Sequence, residues 1–193
     1  MQDMDGRIAM VIDGGECEIG LESTVIAVSG NSANVLRPGA VTPDMLRSAG
    51  IAVTVDEAVT DPAKAGSAPQ SPGMKYKHYA PKAELYLVEG GTAELIAAAR
   101  SGGSLPSATA VMCSDDDTAK FPGFIVLDTG KSDEEYAHRL FSLLRRADEL
   151  GAERIYAALP RADGDTLAIF NRIIRSSAGK IIRKTTNTEK EVL

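Results

Sequence analysis

The rhythm of hydrophobic and polar positions changes twice along the chain. Up to about residue 56, short apolar, β-branched runs follow one another with only turn residues between them. Arg7–Ile12, Thr24–Val28 and Asn34–Leu36 read as strands, and Ile51–Val55 as one more. Asp13-Gly-Gly15 and Ser29-Gly-Asn-Ser32 are turn sequences, because Gly and Asn accept positive φ. Thr42-Pro43-Asp44 opens a short helix, with Thr42 as N-cap and Pro43 where its missing N–H costs nothing. Gly50 ends it. Strands joined mainly by turns predict part of a mixed or antiparallel sheet, too small to bury itself well.

Residues 57–82 carry neither period. Pro, Gly, Ser and Ala punctuate them, and they read as a linker. From residue 83 to 193 the rhythm changes again. Leu85–Val88, Ala108–Cys113, Phe124–Leu127 and Arg154–Leu159 read as strands. Between and after them, Ala93–Arg100, a helix from Ser132 to about Leu150, and Asp165–Ser177 have helical spacing. Ser132 with Glu135 forms a capping-box sequence, and Gly151 stops that helix. Alternating strands and helices predict a parallel sheet flanked by helices, an α/β fold.

Composition narrows the picture. The chain has 193 residues, 44% of them hydrophobic but only 5% aromatic, with no Trp. A core of Ala, Val, Ile and Leu suits buried parallel strands. The formal charge of −6 disfavours stable, non-specific nucleic-acid binding. Cys17 and Cys113 have no metal-type spacing and read as reduced thiols. No apolar run is long enough to span a bilayer, and the first residues do not resemble a signal peptide. The expectation is a soluble, cytoplasmic protein.

The candidate chemistry sits in three places. Gly20-Leu-Glu-Ser-Thr-Val25 could present Ser23 and Thr24 to a ligand, although strand starts often look this way. In Leu36-Arg-Pro-Gly39, Pro38 stiffens Arg37, whose guanidinium suits phosphate; a surface Arg at a turn would read the same. Ser71-Pro-Gly-Met-Lys-Tyr-Lys-His-Tyr-Ala-Pro81 concentrates aromatic and basic residues where a linker is normally poor in them. It docks either on a ligand or on its own domain. Gly90-Gly91 does not match a phosphate-loop pattern. Asp115-Asp116-Asp117 follows a strand where α/β sheets bind ligands, and reads chiefly as a solvated acidic loop rather than a metal site. His78 and His138 fall in unrelated elements, so no catalytic triad or dyad is arguable.

Taken in order, these motifs resemble the C-terminal part of the long-form L-threonylcarbamoyladenylate synthases. Leu144-Arg-Arg-Ala-Asp-Glu-Leu-Gly151 and Leu167-Ala-Ile-Phe-Asn-Arg172 are similar to helices of that family's second domain. The resemblance implies a Rossmann-like parallel sheet flanked by helices over 83–193. It also implies that residues 1–56 are the end of an α/β catalytic domain, joined by the 57–82 linker. It implies a family reaction in which L-threonine, bicarbonate and ATP, with Mg2+ accompanying the ATP, give threonylcarbamoyl-AMP and pyrophosphate for tRNA modification.

By the same resemblance Ser23 matches a threonine contact, Arg37 a nucleotide-phosphate contact and Tyr79 a nucleotide contact, with Tyr76 a weaker claimant. The linker would close over the cavity and exclude water. No catalytic or metal-ligating residue is assigned. The family's catalytic domain begins upstream of Met1, so the chain alone is expected to be inactive. An exposed sheet edge over 1–56 could pair with a second copy as a homodimer. The alternative is a non-catalytic Rossmann-like binding or regulatory module with its site near Ser114–Thr118.

Overall fold

The computed structural model describes residues 4–15, 17–64 and 80–184. They form two sheets. The first has three strands in the order β1-β2-β3: β1 (Val25–Ser29), β2 (Ser32–Arg37) and β3 (Ala52–Val55). β1 and β2 are an antiparallel hairpin, and β3 joins β2 in parallel, so the sheet is mixed. The parallel step is made by α1 (Pro43–Ser48), whose N-cap Thr42 accepts from Met45 N–H at 3.2 Å. Gly50 turns the chain into β3 at φ +83.

The second sheet holds β4 (Glu84–Val88), β5 (Thr109–Cys113), β6 (Ile125–Asp128), β7 (Arg154–Ala158) and β8 (Ile181–Ile182). Its order is β6-β5-β7-β4-β8, and every pairing is parallel. Because strand side chains alternate between faces, the sequence divides itself into two cores. Leu85, Leu87, Met112, Ile155 and Ala157 face α4 (Asp133–Glu149) and α5 (Leu167–Ser176). Val88, Val111, Cys113 and Tyr156 face α3 (Thr92–Ser101) and Phe121. Helices thus cover both faces, and the fold is α/β. No helix among the described residues is long and apolar enough to cross a membrane.

Three local expectations change. Arg7–Ile12 is not a strand: Met4–Arg7 closes a turn, and Ile8 and Ile12 are 52% and 87% exposed. β-branched residues make a strand only where a ladder partner receives their backbone groups. Residues 57–64 are not structureless. They form α2 (Glu57–Thr60), capped by Asp56, then a 3-10 turn at Pro62–Lys64. Four residues are too few to show a helical period. Ser132 accepts from Glu135 N–H at 3.3 Å, but the Glu135 carboxylate turns to Lys131 N–H and Arg139.

α2 has a further reason to exist. A helix ends with carbonyls that have no partner within it. The Val59 and Ala58 carbonyls of α2 accept from Asn171 Nδ2 at 2.6 Å and Arg175 at 2.7 Å, both on α5. α5 therefore packs its apolar side on the sheet and its polar side on α2, which is why every residue from Leu167 to Ile174 is buried.

Candidate functional site

The motifs at 20–25 and 36–39 are brought together by β1–β2 pairing, in which Val25 stands opposite Arg37. Gly39 lets them touch. A Cβ there would stand 2.5 Å from Thr24 N and closer still to the Glu22 carbonyl, so only glycine admits the 22–24 backbone. Thr24 locks the pair, its hydroxyl donating to the Val41 carbonyl at 2.8 Å and accepting from Val41 N–H at 3.1 Å.

Within this frame Arg37 holds Ser23 in two ways. Its Nε donates to the Ser23 carbonyl at 3.0 Å, and its terminal nitrogen donates to Ser23 Oγ at 3.2 Å. The planar guanidinium makes both contacts at once, which fixes the hydroxyl's position and polarises it. Ser23 is exposed and lines a cavity of about 700 Å³ together with Ile19, Leu21, Glu22, Thr24 and Val41. The walls are mostly apolar, with Ser23, Thr24 and acidic groups as polar features. Arg37 is half-buried and is not among the described residues that line the cavity; it touches one of them, Ser23. Tyr79 and Tyr76 lie outside the described residues, as does most of the aromatic and basic motif.

The other candidates are engaged elsewhere. At Gly90-Gly91 the start of α3 is filled by the chain itself: Glu94 accepts from Gly91 N–H at 2.9 Å. Lys184 and that N–H hold the Glu94 carboxyl down at about 2. Asp115 pairs with Lys131, while Asp117 accepts from Thr92 and pairs with Lys120. Among the described residues no group of three or more His, Cys, Asp or Glu could hold a metal ion. His138 faces the Glu18 carbonyl with Nδ1 at 3.1 Å, a contact that places a proton on that nitrogen.

Sequence reasoning missed Glu22 and Arg172. The Glu22 carboxylate lies 2.9 Å from Arg172 Nε, with the Arg172 side chain 6% exposed. The contact is coulombic and does not follow the N–H direction. The signal was present: Asn171-Arg172 interrupts the apolar run of α5, and a buried charge calls for a partner.

This geometry defines an α/β protein whose parallel-sheet body carries a small mixed sheet with a hydroxyl-bearing cavity. The chain belongs to the family described as threonylcarbamoyl-AMP synthase, C-terminal domain, whose model matches residues 41–178. The motifs holding Ser23 and Arg37 precede that match. Longer similarity includes them: threonylcarbamoyl-AMP synthase of Bacillus subtilis is 34% identical over 186 residues, covering 94% of this chain and 52% of the relative. The Pyrococcus abyssi enzyme of the same name is 34% identical over 189 residues, covering 94% and 53%. The crystal structure of P. abyssi Sua5 complexed with L-threonine superposes with a TM-score of 0.79 at 31% identity, covering 95% of this chain and 53% of that one. The chain spans about half the length of the curated relatives it matches.

Proposed function

We propose that this chain is part of an L-threonylcarbamoyladenylate synthase. The whole enzyme would condense L-threonine, bicarbonate and ATP into threonylcarbamoyl-AMP, releasing pyrophosphate and water, in the cytoplasm, for tRNA modification. The observation that carries the reading is the Arg37–Ser23 pair, with Ser23 Oγ held at 3.2 Å beside a cavity. In this reading Ser23 contacts L-threonine, whose hydroxyl or carboxylate can bond the Ser23 hydroxyl and whose ammonium suits the acidic side chains beside it. A solved relative of similar fold is described as complexed with L-threonine.

Arg37 orients Ser23 and is assigned, by the family resemblance, to the nucleotide phosphates. Adenylate formation concentrates negative charge at the α-phosphate, and a preorganised guanidinium stabilises it without reorganising. Tyr79 is assigned to the nucleotide. Mg2+ would arrive as the ATP complex rather than through a protein site.

The chain alone is expected to be inactive. Pyrophosphate release dependent on L-threonine and bicarbonate would be assayed in this chain and in one extended upstream to the relatives' length. Activity only in the extended protein supports the proposal. Activity in the short chain refutes its inactivity, and none in the extended protein refutes the function.

A further inference from the structure

We infer that Arg172 is a positioning residue for Ser23: the parallel-sheet body, acting through Glu22, sets where the Ser23 hydroxyl stands. The inference rests on reading Ser23 as a threonine contact. Residues 18–22 cross the parallel-sheet body as a strap. The Glu18 carbonyl meets His138 Nδ1 at 3.1 Å. Gly20, at φ +72, lies so close to α4 that a Cβ would stand 2.5 Å from His138 Cα. Leu21 packs on the core that α4 and α5 share. The Glu22 carboxylate then reaches Arg172 at 2.9 Å.

The next residue is Ser23, held by Arg37 of the small sheet. Glu22 and Ser23 share one planar peptide with Cα atoms about 3.8 Å apart, so moving the Glu22 backbone moves the peptide that carries the Ser23 N–H. Arg172 is buried and does not line the cavity that Glu22 and Ser23 share, so it acts on that cavity through Glu22. Water screens little of the attraction to a cation whose side chain is 6% exposed, so Arg172 restrains the Glu22 carboxylate 2.9 Å away. The body therefore fixes one side of the Ser23 peptide and the small sheet the other. Ligand affinity at Ser23 then depends on how the two are docked.

The test uses the full chain with Arg172→Lys and Arg172→Met, each checked for folding by thermal unfolding. Hydrogen–deuterium exchange over residues 18–25 is expected to quicken in both variants, more in Arg172→Met, with β4, β5 and β7 unchanged. Calorimetric titration with L-threonine is expected to show affinity weakened at least about tenfold in Arg172→Met and less in Arg172→Lys, since small misplacements of a contact group cost this much. If Arg172→Met does not fold, Arg172→Lys decides. Unaltered exchange over 18–25 in the folded variants overturns the inference, as does a loosened strap with unaltered L-threonine affinity. If the unsubstituted chain binds no L-threonine, the functional reading fails separately, and the exchange rates still decide whether Arg172 holds the strap.

Discussion

Asn171 donates its side-chain amide to the Val59 carbonyl at 2.6 Å, and both residues are wholly shielded from water. This bond ties the helix after β3 to the last helix of the parallel-sheet body. A buried carbonyl that loses its donor costs its full desolvation. Asn171→Ala should therefore destabilise by about 1–3 kcal/mol. Asn171→Asp should cost more, because it sets an acceptor against an acceptor. Thermal unfolding followed by circular dichroism would show it, and unchanged midpoints in both variants would remove the bond's importance.

Gly39→Ala is expected to be among the costly single-methyl changes. The added carbon would meet the backbone of residues 22–24, which cannot rotate away as a side chain could. Overpacking of this kind costs about 1–3 kcal/mol. Gly14→Ala is the control, since nothing among the described residues lies within 4 Å of its Cβ and its φ is not positive. Chemical denaturation should show a lowered midpoint for the first and none for the second.

Arg37→Lys keeps the charge but loses the planar fork that holds both Ser23 oxygens. Under the proposed function, L-threonine affinity in a binding-competent protein should fall about tenfold in Arg37→Lys and in Ser23→Ala, each losing a hydrogen bond to the site. The double variant should be no worse than the more damaging single one, because the two residues act as one unit. Additive losses measured by calorimetry would separate them.

The two thiols should behave oppositely. Cys17 is exposed and Cys113 buried. Burial first, then the nearby Asp117 and Asp128 carboxylates, pushes the Cys113 thiol from 9.0 up to about 11. Iodoacetamide at mildly alkaline pH should label Cys17 in the native protein and Cys113 only after unfolding. The folded state keeps the Cys113 proton longer than the unfolded state does. This contribution to stability is complete below about pH 9 and is lost as pH rises towards about 11. A native Cys113 that labels as fast as Cys17 would contradict the burial.

The parallel sheet and its helices were legible because their signals are local and repeated. Alternating apolar positions such as Leu85, Tyr86, Leu87 and Val88 select opposite faces whatever surrounds them. Ser132 and Thr42 announce helix starts through bonds made within a few residues. The chain also carried the motifs that place Ser23 and Arg37 in one family. Tertiary structure alone decided what those motifs do to each other. The strand expected at Arg7–Ile12 does not form, because strand formation depends on a partner ladder and not on the residues' own preference. The four residues of α2 form a helix because Asn171 and Arg175, far along the chain, satisfy its last carbonyls. In sequence Arg172 shows only as a charge inside the apolar run of α5, and its pairing with Glu22 exists only once folding buries the Arg172 side chain and sets the two 2.9 Å apart. A local pattern records what a segment buries; only the folded chain records which distant group makes that burial tolerable.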